Sequence, residues 1–229
     1  MLGSIVNAVS IVLGSVLGIL INKGIKEEYK KIVMDAVGLT VVIMGITSAI
    51  KSENLILVII SMVLGSIIGQ AIGIQDKLDK LGNRLEERFG KEESNFSKGF
   101  VTASLVYCIG AMAIIGSLES GITGDHSTLF AKSVLDGITA VIFASTLGIG
   151  VAFSAASVLI YEGSISILAS YLSNLMSDPA ITEMSAVGGI LITAIGLNVL
   201  GIKKVNAGNM LPAVFIPLVY FALKTIFGI

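Results

Sequence analysis

The sequence predicts an all-α polytopic membrane protein, a transmembrane helical bundle of about eight spans. Three observations predict it. Hydrophobic residues fill 54% of the 229 positions, and the mean hydropathy is +0.94. Only 14% of residues are charged, and these are bunched between apolar runs. Each run is long enough to cross the hydrocarbon core, which takes about 20 residues as a helix. Helices follow from the medium, because backbone N–H and C=O groups find no water in hydrocarbon and must pair within the span. A β-barrel would show alternating segments of about ten residues instead.

The expected spans are 4–21, 32–50, 55–74, 100–118, 128–147, 151–172, 185–202 and 210–227. The first has no positive region before it, and its lysines (Lys23, Lys26) follow it, so it reads as a retained span rather than a secretory signal. Segment 134–172 carries only Asp136 and Glu162 as charges. As one helix it would be about 58 Å long, twice the bilayer core, so it must turn back. Gly148-Ile-Gly150 is the expected turn.

Segment 75–93 is the exception to the apolar pattern. Ile74, Leu78, Leu81, Leu85 and Phe89 recur at spacings of three or four among charged residues. This pattern predicts an amphipathic helix on the inner membrane surface or on the protein itself, serving as a connector or a regulatory arm.

Loop charge orients the chain. With an outside N-terminus, the inside loops hold Lys23, Lys26, Lys30, Lys31, Lys77, Lys80, Arg84, Arg88, Lys91, Lys98, Lys203 and Lys204, twelve of the fifteen basic residues. Only Lys51, Lys132 and Lys224 remain outside. The positive-inside rule therefore places both termini outside.

Small residues recur at helical spacing. Gly14, Ser15 and Gly18 are echoed by Gly65, Ser66 and Gly69. Glycines four apart let another helix approach closely, within the chain or in a homo-oligomer. A second echo matches Lys31-Ile-Val-Met-Asp35 to Lys132-Ser-Val-Leu-Asp136, 101 residues apart. Spans one to three map onto four to six at about that offset. A unit with an odd number of helices returns upside down, which points to 3+3 inverted repeats (1–93 and 98–174) followed by a helical pair, 184–227, in one domain.

Ionisable groups inside spans cost about 2.5–3.5 kcal/mol at the centre, so each is a candidate site. Glu162 is the deepest. Asp35 and Asp136 each follow a lysine by four residues on one helix face, which offers an ion pair as the structural alternative. Glu119 and Asp125 flank span four and are expected to face water. Asn7, Thr102, Thr139, Ser154, Ser157, Thr193 and Asn198 supply neutral polar groups. Near the chain end, Asn209 reads as an N-cap and Pro212 suits a first helical turn. Pro217 removes a donor and would free the carbonyl of Ala213.

Enzyme chemistry finds little support. His126 is the single histidine and Cys108 the single cysteine. No metal-ligand cluster, phosphate loop or nucleophile elbow is present, so neither catalytic residues nor a cofactor or metal is expected. A net charge of −1 argues against nucleic acid as a partner.

Several runs resemble the YdfK/YqgA-like bacterial membrane proteins, the family called domain of unknown function 554. They are Gly99-Phe-Val-Thr-Ala-Ser-Leu-Val-Tyr-Cys-Ile-Gly-Ala-Met-Ala-Ile-Ile-Gly-Ser-Leu-Glu119, Lys132-Ser-Val-Leu-Asp-Gly137, Val187-Gly-Gly189 and Gly208-Asn-Met-Leu-Pro-Ala213. The resemblance implies a protein of the bacterial cytoplasmic membrane, a transporter without an agreed substrate. Where the family pattern reads Tyr-Gln-Gly, this chain has Tyr161-Glu162-Gly163. That departure shifts weight to Asp136, Glu119 and Asn209 as family-wide site residues.

The expected function is transport of a small solute or ion through the bilayer. Asp35, Asp136, Glu119, Glu162, Asn198, Asn209 and Pro212 are the candidate path residues. A structural or accessory membrane subunit is the alternative, and it would have every intramembrane acid paired off.

Overall fold

The computed structural model describes residues 1–22, 27–89, 96–172 and 177–227. Helices account for its regular structure. They are α1 (Leu2–Asn22), α2 (Glu27–Ala49), α3 (Leu55–Ile72), α4 (Ile74–Phe89), α5 (Phe96–Cys108), α6 (Ala111–Ile122), α7 (Ser127–Leu147), α8 (Gly150–Leu172) and α9 (Asp178–Val199). A 3₁₀ segment (Ala207–Phe215) then leads into α10 (Ile216–Phe227). Lys23, Lys26, Lys91 and the end of the amphipathic segment, 90–93, lie outside the described residues, as do the side chains of Leu81, Leu85 and Phe89.

Six crossings are long and apolar enough on their own: α1, α3, α7, α8, α9 and the 3₁₀ segment with α10. Together α5 and α6 form a seventh, bent by 61°. The apolar stretch of α2, Asp35–Ala49, is shorter because its first turns are charged. Three expected boundaries need correction. Span four is two helices, because Gly110 adopts φ 150°, a conformation that side chains rarely tolerate. Span seven starts at Asp178 rather than 185, with Pro179 in its first turn. Span eight starts as a 3₁₀ segment at Ala207, whose N-cap position is Asn206 rather than Asn209. Pro217 does not free the Ala213 carbonyl, since the Ile216 N–H bonds to it.

The expected turn between spans five and six is present, with Gly148 at φ 78° ending α7 and α8 starting at Gly150. Both glycine stripes seat helices within the chain. A Cβ on Gly14 would fall 2.2 Å from the Gly137 carbonyl oxygen, and one on Gly18 2.3 Å from that of Val141, so α1 lies backbone to backbone on α7. A Cβ on Gly65 would fall 2.2 Å from Ala213 Cα, and one on Gly69 1.9 Å from the Asn209 carbonyl oxygen, so α3 lies on the 3₁₀ segment. Such approaches maximise van der Waals contact where no hydrophobic effect drives helices together.

The directions of these pairs fit eight alternating crossings. Rising numbers on α1 (Gly3, Gly14, Gly18) meet rising numbers on α7 (Leu129, Gly137, Val141), so the two run parallel. Gly38 and Gly45 of α2 meet Leu200 and Thr193, so α2 runs antiparallel to α9. α3 and the 3₁₀ segment are also antiparallel.

The heaviest packing falls within two groups. One joins α1, α5, α6, α7 and α8, and the other joins α2, α3, α9 and the 3₁₀ segment with α10. These partnerships do not repeat the 1–3 arrangement in 4–6. Both α5 and α6 pack on α8, whereas α1 and α3 share no comparable contact among the described residues. Apolar side chains such as Leu17, Ile43, Ile56 and Ile67 point outward, as a lipid-facing surface requires.

Candidate functional site: a charge cluster inside the bundle

Lys132 and Asp136 stand one turn apart on the same face of α7, which points into the bundle. Lys132 Nζ bonds Asp136 Oδ2 and lies 3.4 Å from Glu162 Oε1 on α8. From α1, Asn7 Nδ2 donates to Asp136 Oδ2 at 3.0 Å and to Glu162 Oε1 at 2.9 Å. The four residues are nearly inaccessible, at 0% exposure for Asn7 and Glu162, 6% for Lys132 and 8% for Asp136. Glu162 sits twelve residues, about 18 Å, from the start of α8, at the middle of that helix. One cation thus serves two acids, bridged by one amide.

Two atoms of the cluster lack a partner. Glu162 Oε2 and Asn7 Oδ1 are buried with no hydrogen bond, and so are the hydroxyls of Ser4 and Ser166, one turn along the same two helices. Buried polar atoms are almost always bonded, so such a group of orphans on two facing helices marks a place with a job other than packing. Cys108, at the end of α5 beside the Gly110 break, lies within electrostatic reach of Lys132, Asp136 and Glu162. The break also touches the second helix group, since a Cβ on Gly188 of α9 would overlap the Ile109 side chain at 2.2 Å.

Between the two groups, at the end away from Met1, opens a cleft of 710 Å³. Its walls include Asp76 and Asp79 of α4, Lys98 and Thr102 of α5, and Lys203 and Lys204 beyond α9. Leu105 and Ile195 also line it, so it runs into the apolar interior toward the α5–α6 break.

The other expected path residues are dispersed. Asp35 is half-buried on α2 and forms no ion pair with Lys31 among the described residues. Glu119 is half-buried at the end of α6, where it accepts a bond from Thr128 Oγ1 at 2.7 Å rather than simply facing water. Asp125 is exposed, and the Ser127 N–H bonded to it holds its carboxyl below the usual range. Asn198 clips the loop after α9, giving Nδ2 to the Val205 carbonyl at 2.7 Å and accepting from the Val205 N–H at 2.6 Å. Asn209 accepts from the Gln75 N–H at 2.7 Å and donates to Gln70 Oε1 at 2.8 Å, pinning the α3–α4 corner to the 3₁₀ segment that contains Pro212. Asp136 and Asn209 share no bonding partner.

Sequence reasoning named Asn7 only among the neutral polar groups and left it out of the candidate path, because a single amide in an apolar span has no local signal. It also missed Glu183. This buried carboxylate receives Ser52 Oγ at 2.7 Å and the N–H groups of Glu53 and Asn54 at 2.8 and 2.9 Å. It thereby fixes the α2–α3 loop at the N-terminus of α3, where negative charge is favoured.

Residues 2–222 match the family described as protein of unknown function, DUF554. The chain belongs to that family. Its similarity to the uncharacterized membrane protein YdfK of Bacillus subtilis is 38% identity, covering all of this chain and 99% of the relative. To the uncharacterized protein YqgA of Escherichia coli it is 32% identical, covering 94% of each. No solved structure matches the chain. The protein is thus a multi-pass membrane protein, and its function has to be argued from its own geometry.

Proposed function

We propose that the protein moves a small solute or ion across the bacterial cytoplasmic membrane and that its buried charge cluster carries the coupling charge. The observation behind this reading is the assembly of Lys132, Asp136, Glu162 and Asn7 from three separate helices, buried in the interior of the bundle. Charges there are costly, and in membrane proteins they mark ion paths and proton relays. The chain offers no nucleotide-binding motif, so any coupling comes from an ion gradient or from a partner protein. The cleft between the two helix groups supplies a place for cargo. Loop charge places that cleft on the cytoplasmic side and both termini outside. No catalytic chemistry is assigned to the site. An accessory subunit would pair off every intramembrane acid, and the orphaned Glu162 Oε2 favours transport over that reading.

The test uses purified protein in lipid vesicles under imposed proton, sodium or potassium gradients, with internal pH and tracer cations followed. The expected result is protein-dependent ion movement that Asp136→Asn returns to the level of empty vesicles. Folded protein that moves none of the three ions would overturn the proposal.

A further inference from the structure

We propose that Glu162 and Asn7 form a proton-binding site, in which a proton on Glu162 Oε2 donates to Asn7 Oδ1. That this proton is the one exchanged during transport rests on the transport reading above. Half of the arrangement is already in place, as the Asn7 Nδ2–H bond to Glu162 Oε1 at 2.9 Å. The remaining atoms of the same two groups, Oε2 and Oδ1, are the orphans. A carboxylate oxygen and an amide oxygen are both acceptors, so neither satisfies the other. One proton turns Oε2 into a donor and closes a two-bond ring between carboxyl and amide. Both orphans are then satisfied.

Charge balance points the same way. α8 packs against α1, α5, α6 and α7. α1 has no ionisable side chain, although the Met1 ammonium before it donates to Ser120 Oγ of α6 at 3.2 Å, and α6 itself has only Glu119, which is bonded to Thr128. α5 brings Lys98 at the cleft, with Tyr107 and Cys108, while α7 brings Lys132 and Asp136. Tyr161 precedes Glu162 on α8 itself. With both acids ionised, the cluster carries one uncompensated negative charge in a medium of low dielectric. A proton on Glu162 leaves the Lys132–Asp136 pair balanced and the cluster neutral. An alkali ion fits less well, because the Lys132 ammonium already stands 3.4 Å from Glu162 Oε1 and repels a second fixed cation.

The step is a plain proton transfer. An O–H bond forms at Oε2 as one breaks in the donor water or hydroxyl, and release reverses it with no change of oxidation state. The orphaned hydroxyls of Ser4 and Ser166 both donate and accept, and they lie on the Met1 side of the pair.

Infrared difference spectroscopy on the full chain in lipid nanodiscs, with pH stepped from acid to alkaline, tests the site. The expected signal is a protonated-carboxyl C=O band that titrates, is lost in Glu162→Gln, and survives in Glu183→Gln. In Asn7→Leu the band should persist but move, since the carboxyl loses its amide partner. This second variant carries the test should Glu162→Gln fail to fold. A titrating band unchanged in Glu162→Gln or in Asn7→Leu would overturn the site, and so would its removal by sodium at constant pH. Vesicle flux separates the two proposals. Flux without a Glu162 band sinks the site alone, whereas a Glu162 band without flux overturns its use in transport.

Discussion

Lys132 Nζ on α7 lies 3.4 Å from Glu162 Oε1 on α8, although Lys132 already bonds Asp136 on its own helix. A lysine near a span end usually extends toward the interface. This one is turned inward, and only 6% of it is exposed. The cation is therefore held by two acids from different helices, and either acid alone can keep it paired.

That redundancy makes the acids non-additive. Asp136→Asn alone should fold with a small loss of stability, because the Glu162 carboxylate remains beside Lys132. It should nevertheless abolish transport, because Glu162 then becomes the permanent counter-ion and no longer releases and rebinds a proton. Adding Glu162→Gln strands the ammonium, and an unpaired buried charge costs about 3–5 kcal/mol. Thermal unfolding of the two single variants and the double variant in detergent measures the coupling. Stability losses that simply add would show that Lys132 does not bridge the two acids.

A second prediction concerns the glycine contacts. Gly69→Ala would set a methyl 1.9 Å from the Asn209 carbonyl oxygen, and Gly14→Ala one 2.2 Å from that of Gly137. Neither obstacle is a flexible side chain, so the helices must separate, at a cost of about 1–3 kcal/mol or more. Gly137→Ala is the control. Its Cβ would meet Ser10 at 3.4 Å, an ordinary contact, and alanine is the better helix former by about 1 kcal/mol. Unfolding temperatures should fall for the first two and hold or rise for the third.

The parts of the fold set by local rules were legible in the sequence. Apolar length located the crossings, the Gly148–Gly150 turn followed from the length of 134–172, and the stripes at Gly14 and Gly65 do seat helices. The break at Gly110 was not legible, because a single glycine in an apolar run looks the same whether it packs a helix or ends one. Asn209 was misread as a cap because its partners, Gln70 and Gln75, lie more than 130 residues away. The Lys132–Asp136 half of the site could be read at a spacing of four. Its links to Asn7 span 129 and 155 residues, and no local pattern encodes them.

Glu183 yields a third prediction. Its two oxygens receive three donors from the 52–54 loop. Glu183→Gln would turn an N–H toward those donors and leave at least one of them unbonded at a buried site. The expected loss is about 1–3 kcal/mol. A cysteine placed at Lys51 in that background, with Cys108→Ala, should react faster with a water-soluble maleimide. Unchanged stability and labelling would mean that the loop is held by other contacts.

The last prediction is the side on which each end of the bundle lies. Lys132 falls in the outer half of its span by position, yet it is buried in the bundle. Only Lys51 and Lys224 then remain as outer basic residues, which sharpens the charge asymmetry. Asn206, beside the cleft, and Ser177, before α9, are both exposed and lie at opposite ends of α9. In a Cys108→Ala background, Ser177→Cys should react with an impermeant maleimide in intact cells whose outer layers have been removed. Asn206→Cys should react only after the membrane is opened. The reverse pattern would place the lysine-rich cleft outside and both termini in the cytoplasm. Labelling of both sites from one side would remove a crossing between them, against the observation that α9 alone connects the two positions as a single helix.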